Sequence, residues 1–274
     1  MTVSALTVTL VLTSGVLAGI INTIVGSGTL LTFPVLIASG LPPVLANMSN
    51  TVGLVAGNFS GAYGYRHEFK GRRHRITLFG AVSLLGAVVG ALGLVVLPAA
   101  AFNAIVPALV LVASLMVMAQ PWLKKRLARS ARTVDRDGGE AHHGDRGKWR
   151  AVAAEGGPFL WAGIFGAGVY GGYFGAAAGV VLLALFGLLL DEDIQSLNGI
   201  KNICIGVINA VAALLFILIA PIAWLPALLL TAGSLLGGQI GARLARRMPP
   251  TVLRACVVVI GLTAATVLIV RYWT

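Results

Sequence analysis

No aspartate or glutamate stands inside any long apolar stretch of this chain. All nine acids (Glu68, Asp135, Asp137, Glu140, Asp145, Glu155, Asp191, Glu192 and Asp193) fall in connecting segments, and the four histidines read the same way. A proton-driven pump commonly uses an intramembrane carboxylate or histidine, and a cationic substrate wants a carboxylate partner, so both readings are disfavoured. Metal sites and catalytic centres draw on the same residue types. The apolar part therefore gives no reason to assign a metal, a cofactor or an enzyme activity. His142–His143 has no further ligand at fitting spacing and reads as a solvated pair. Cysteine is scarce as well. Cys204 and Cys256 each sit in an apolar segment, which implies no disulfide framework and reads as buried thiols.

Charge of either sign is in short supply. Only 11% of the 274 residues are charged and 58% are hydrophobic, where a soluble domain carries about 25% charged residues. The chain is an integral membrane protein whose solvent is the lipid bilayer. Its formal charge of +11 would suggest nucleic acid in a soluble protein. Here the excess is gathered at Arg66–Arg75, at Lys124–Arg150 and at Arg243, Arg246 and Arg247, between apolar spans. That distribution marks cytoplasmic loops and argues against nucleic acid. The N-terminal MTVSALTVTLVLTSG lacks a basic leader region and reads as a retained first segment.

What the chain does have is ten apolar segments. Five run over Ala5–Val25, Thr29–Ser39, Val44–Tyr63, Ile76–Leu97 and Ala99–Ala119. Five more run over Pro158–Phe174, Val180–Leu190, Ser196–Ile219, Ile222–Ile240 and Thr251–Tyr272. The division is a first transmembrane repeat at 1–119, a basic cytoplasmic linker loop at 120–157 and a second repeat at 158–274. Thr29–Ser39 and Val180–Leu190 are too short to span a bilayer, which takes roughly 17 to 25 helical residues. Each follows a glycine-containing break, VGSG or FGAAAG. Short interrupted segments at matching places in two halves point to a transporter binding site.

The two halves also share a polar stripe. Asn47, Asn50, Thr51 and Asn58 occupy offsets 0, +3, +4 and +11, and Asn198, Lys201, Asn202 and Asn209 repeat them 151 residues later. At about 100° per residue each set lies on one narrow face of a helix. The same shift carries Gly28 onto Gly179 and Asn22 onto Tyr173. Loop charge places the first stripe on a helix running inward and the second on one running outward. Five segments per repeat invert the second half automatically, giving an all-α polytopic protein with inverted-topology repeats and a central site between broken helices.

Candidate cargo ligands follow from that pattern. A helix that starts in mid-membrane leaves its first N–H groups unpaired, and these with the dipole's positive end form an anion site. Gly28 and Gly179 allow close approach there. Lys201 adds a cation, although a lysine snorkelling to the interface reads equally from the sequence. Asn47, Asn50, Thr51, Asn198 and Asn202 face the breaks, against the alternative of interhelical hydrogen bonds. Asn22, Ser27 and Tyr173 flank the breaks. Asn58 and Asn209, deeper along their helices, read as bundle contacts. The glycine runs 53/57/61, 171/175/179 and 233/237/241 serve close helix packing, and fit a homodimer as readily as contacts within one chain.

The stretch Gly19–Gly53, the loop after Gly61–Arg66 and the second-half motif Leu197–Asn202 together resemble the sulfite exporter TauE/SafE family of membrane permeases. The resemblance covers nearly the whole chain outside 120–157. Gly26–Ser27–Gly28 and Ala177–Ala178–Gly179 stand where family members often have three glycines. Pro34 fits the following proline, while its counterpart is Leu185. The resemblance implies two homologous halves and transport of a small sulfur-containing anion, such as sulfite, thiosulfate or an organosulfonate, across the bacterial inner membrane. An anion channel could use the same donors.

Overall fold

The computed structural model describes the backbone of residues 4–136, 157–190, 192–245 and 251–273, with side chains for 4–119, 157–190, 192–245, 255 and 258–270. Ten α-helices are found among the described residues. In chain order they are α1 (Ala5–Ile24), α2 (Thr29–Ala38), α3 (Pro43–Gly64), α4 (Arg73–Val96), α5 (Ala99–Arg136), α6 (Gly157–Tyr173), α7 (Ala178–Leu189), α8 (Ile194–Ile219), α9 (Trp224–Leu244) and α10 (Thr251–Trp273). A short 3-10 turn, Arg66–Phe69, links α3 to α4. The ten apolar segments of the sequence all become helices. Five are long and apolar enough to cross a membrane: α1, α4, the Ala99–Ala119 part of α5, α8 and α9. With 22 residues α3 is long enough but its polar stripe makes it too polar to qualify.

Two details differ from the sequence reading. The backbone stays helical from Gln120 to Arg136, where composition suggested a loop. Lys, Arg, Ala and Leu are all good helix formers, so a basic stretch continues a helix as readily as it breaks one. His74 lies in the first turn of α4 and His67 in the 3-10 turn, so neither is in an irregular connection. The His142–His143 pair lies outside the described residues.

Packing pairs α1 with α9 and α4 with α6, α3 with α9 and α8 with α4, α3 with α8, and α5 with α10. This set of partners is unchanged when α1–α5 are exchanged for α6–α10. Glycine contacts fix the directions. Gly15 and Gly19 meet Leu230 and Ser234, so α1 and α9 run parallel; Gly86 and Gly90 meet Phe165 and Val169, so α4 and α6 do too. Gly206 meets Phe59 and Gly199 meets Tyr65 and Phe69, so α3 and α8 run antiparallel. Gly53, Gly57 and Gly61 pack against Leu230, Ser234 and Thr23, and Gly233, Gly237 and Gly241 against α1. Gly171 meets Ile208 and Gly179 meets Gly26, so all three glycine runs make contacts inside the chain.

Apolar side chains also face outward in rows, Leu6, Leu10 and Leu17 on α1 and Leu84, Leu85 and Val89 on α4 among them. In water such a surface would be a large unpaired apolar area; against lipid it is the expected exterior. Cys204 is buried among Phe79, Ala87, Ile200 and Ile208.

The head of α8 is fixed by Asp193. Its carboxylate accepts from the N–H groups of Gln195 and Ser196 at 2.9 and 3.1 Å, satisfying two of the helix's orphan donors. The Ser196 hydroxyl, with these N–H groups, holds that carboxyl below the usual carboxylate range. A lowered folded-state pKa contributes stability above the unfolded value near ~3.9 and loses it as pH falls through the folded value. Asp193→Ala should therefore cost about 1 kcal/mol at neutral pH. Asp193→Asn should flatten the wild type's loss of thermal stability below about pH 4. Thermal unfolding in detergent across pH measures both; an unchanged acid limb in the asparagine variant would count against the cap.

Candidate functional site

The two breaks stop their helices in the same manner. After Ile24 the chain turns through Val25 into Gly26 at φ +87°, and the Gly26 N–H reaches back to the Ile21 carbonyl at 3.1 Å. After Tyr173 it turns through Phe174 into Gly175 at φ +77°, whose N–H reaches the Tyr170 carbonyl at 3.1 Å. Glycine suits both left-handed positions because it has no Cβ to clash. The second break also holds four residues, 174–177 against 25–28, and there Ala177 is left-handed as well, at φ 60°, before α7 begins. The two further residues of the second half lie in α7, which has 12 residues against 10 in α2, so the helix ends at the breaks align at a smaller shift than the polar stripes do. At the helix ends Tyr173 corresponds to Ile24, not to Asn22 as a uniform 151-residue shift has it.

The breaks touch. Gly179 donates its N–H to the Gly26 carbonyl at 3.2 Å, and a Cβ on either glycine would come within 2.6 Å of the other's Cα. Phe33 and Phe174 stack edge-on beside them at 5.2 Å. The heads of α2 and α7 are therefore brought together in mid-bundle by backbone contact, with Gly179 in the first turn of α7 rather than in the break.

Each half of the chain supplies side chains to the broken helix of the other. A helix ending inside a bundle leaves its last carbonyls without partners, and lipid offers none. Lys201 on α8, fully buried, donates from Nζ to the carbonyls of Asn22 and Thr23 at 3.2 and 3.1 Å. Asn202 donates to the Thr23 carbonyl at 3.3 Å. On the other side Asn47 of α3 donates to the Tyr173 carbonyl at 2.9 Å. The stripes thus cap helix C-termini, and the Lys201 cation sits at the negative end of the α1 dipole. This is neither a snorkelling lysine nor one aimed at a helix N-terminus.

The head of α2 is held by amides. The Asn22 side-chain oxygen accepts from the Gly28 N–H at 3.2 Å and its amide donates to Asn58. Asn50 donates to the Thr29 hydroxyl at 3.2 Å and accepts from that of Thr32. Thr51 turns its hydroxyl back onto the Asn47 carbonyl at 2.9 Å, a bond within its own helix. Of the expected ligands, then, Asn22, Gly28, Lys201 and Asn202 form one connected group. Asn47 and Tyr173 form another, and Asn50 joins α3 to α2. Ser27 and Asn198 are buried and join neither group through a hydrogen bond.

Sequence reasoning passed over Thr23, Thr29 and Thr32. Thr29 and Thr32 directly follow the first break, in the turn where a helix head needs polar neighbours, and that position was the available signal. Several buried polar atoms around the breaks have no hydrogen-bond partner: Thr23 Oγ1, Ser27 Oγ, Asn47 Oδ1, Asn58 Nδ2, Tyr173 OH and Asn198 Oδ1. Each such atom costs about 1–3 kcal/mol if left unpaired. These atoms belong to residues that flank the two breaks or stand on the two polar stripes. Among the described residues no group of histidine, cysteine, aspartate and glutamate could hold a metal ion.

The model of the family described as sulfite exporter TauE/SafE matches residues 11–268. A probable membrane transporter protein of Haemophilus influenzae is 24% identical over 247 residues, covering 90% of this chain and 88% of its own. The probable membrane transporter protein YfcA of Escherichia coli K12 is 26% identical over 250 residues, covering 89% and 83%. The probable membrane transporter protein ORF9 of a Sinorhizobium species is 26% identical over 267 residues, covering 91% and 87%. No solved structure matches the chain. A family match over nearly the full length, on a polytopic helical bundle with two broken helices, leaves one conclusion: the chain is a multi-pass membrane transporter and belongs to the sulfite exporter TauE/SafE family.

Proposed function

We propose that this transporter moves a small sulfur-containing oxyanion, sulfite or an organosulfonate, by alternating access through the site where the two breaks meet. The observation that carries the reading is the contact of Gly26 with Gly179 inside a shell of unpartnered buried polar atoms. Lys201, bonded to the Asn22 and Thr23 carbonyls, stands beside that shell, and among the described residues no acid lies in the spanning segments. An oxyanion asks for donors and positive potential. The heads of α2 and α7, the hydroxyls of Ser27 and Tyr173, and the field of Lys201 supply them. Asn47, Asn50, Thr51, Asn198 and Asn202 then orient the cargo or the groups that hold it, with Asn22, Gly28 and Gly179 shaping the break.

The antiparallel run of α3 and α8 and the exchangeable packing partners support two inverted repeats. Rocking one against the other exposes the site to each side in turn. The basic segments support a cytoplasmic Arg66–Arg75 end in a bacterial inner membrane.

Counterflow in proteoliposomes preloaded with unlabelled sulfite tests the reading. The expected result is transient accumulation of labelled sulfite above its external concentration, saturating with sulfite and competed by sulfonates. A channel would equilibrate the label without overshoot. Counterflow of sulfate or chloride with none of sulfite would move the cargo assignment off sulfur(IV).

A further inference from the structure

Away from the breaks, the Arg66–Arg75 end holds a cavity of about 360 Å³ lined by Arg72, His74, Arg75, Leu78, Phe79, Trp161 and Glu192. We propose that it is a binding site for the phosphate headgroup of an anionic phospholipid. The polar wall is basic. Glu192 bridges Arg72 at 2.6 Å and Arg75 at 2.8 Å, tying the segment before α4 to the head of α8. Asp193 stands 3.9 Å from Arg72. Arg72 donates to Glu192 and to the Glu68 carbonyl at 3.0 Å, and Arg75 donates to Glu192; the fork of a guanidinium is the geometry that meets a phosphate. Of the lining residues Arg72 and Arg75 stand against Glu192, so the lining keeps a positive balance.

The other wall separates a lipid from a free phosphate. Phe79 and Trp161 pack edge-on at 5.4 Å, and Leu78 is 40% exposed. From Leu78 an outward apolar row continues down α4 through Leu85, Val89, Leu92 and Val96. At 100° per residue these five share one face. A groove that begins at paired arginines and a tryptophan and continues as an apolar stripe fits a headgroup with its acyl chain. Inorganic phosphate would use only the upper half. Basic pockets between helices at the membrane surface bind anionic headgroups on these principles.

The test is thermal unfolding of the full-length protein in neutral detergent, titrated with phosphatidylglycerol, phosphatidylcholine or inorganic phosphate. Phosphatidylglycerol should raise the melting midpoint, and the other two should not. Arg75→Gln should require roughly tenfold more phosphatidylglycerol for the same shift. Glu192→Gln should require less, because a competing carboxylate is gone. Leu78→Gln, which leaves the ion pairs intact, should weaken the lipid's effect without lowering the lipid-free midpoint, and it stands as the test if Arg75→Gln fails to fold. Equal shifts from both lipids, or a full shift in Leu78→Gln, overturn the proposal. A full shift from phosphate alone overturns the lipid assignment.

Discussion

Lys201→Met is expected to lose both thermal stability and transport, and Lys201→Gln to recover part of the first but none of the second. Methionine keeps the volume of the side chain but offers no donor, so the carbonyls of Asn22 and Thr23 lose the ammonium that holds them. Asn202 remains on the Thr23 carbonyl, which limits the damage. One carbonyl orphaned and one weakened in a dry bundle cost about 2–4 kcal/mol, a fall of roughly 5–15 °C in the melting midpoint for a chain of this size. Glutamine supplies N–H donors on a shorter arm and carries no charge. It should return about half of the lost stability. If transport also returns with glutamine, Lys201 is a helix cap and nothing more. If transport stays lost while the fold is restored, the charge acts on the anion. Full stability in the methionine variant would remove the capping role.

The prediction is sharper than anything the stripe of polar residues allowed. Periodicity put Lys201 and Asn202 on one face of α8, and that face does turn to a broken helix. Which end of the break it meets depends on contact between segments more than 170 residues apart in the chain, Lys201 to Asn22 being 179. No local spacing encodes that. Helix positions were readable because each apolar run is bounded by glycine, proline or charge, and helices in lipid must satisfy their own backbone. The end of α5 was not, since basic residues mark a loop for membrane topology and a good helix for propensity. The register of Tyr173 failed for a related reason. A constant shift assumes elements of equal length, and α7 is two residues longer than α2. Arg72, Arg75 and Glu192 were read only for the sign of their charge, although three of them together make a bridge between halves.

Gly237→Ala and Gly90→Ala are each expected to cost about 3 kcal/mol or more, the upper end for overpacking. A Cβ at Gly237 would lie 2.0 Å from the Val16 carbonyl oxygen of α1, and one at Gly90 would lie 2.0 Å from the Val169 carbonyl oxygen of α6. In both cases the obstacle is backbone, which no rotamer change can clear. The helices must separate, and separation along a parallel pair strips contacts from the whole seam rather than from one site. Gly166 is the control. It lies on α6 in open space, with nothing within 4 Å of an added Cβ, so Gly166→Ala should be neutral or stabilise by up to about 1 kcal/mol through helix propensity alone. Thermal unfolding of the three variants in one detergent decides the matter. Since α1 with α9 and α4 with α6 are counterpart seams, Gly237→Ala and Gly90→Ala should fall by similar amounts. A large loss from one and none from the other would mean that only one of the two seams holds the bundle together, and that a movement relaxing the second could open the site without breaking the first.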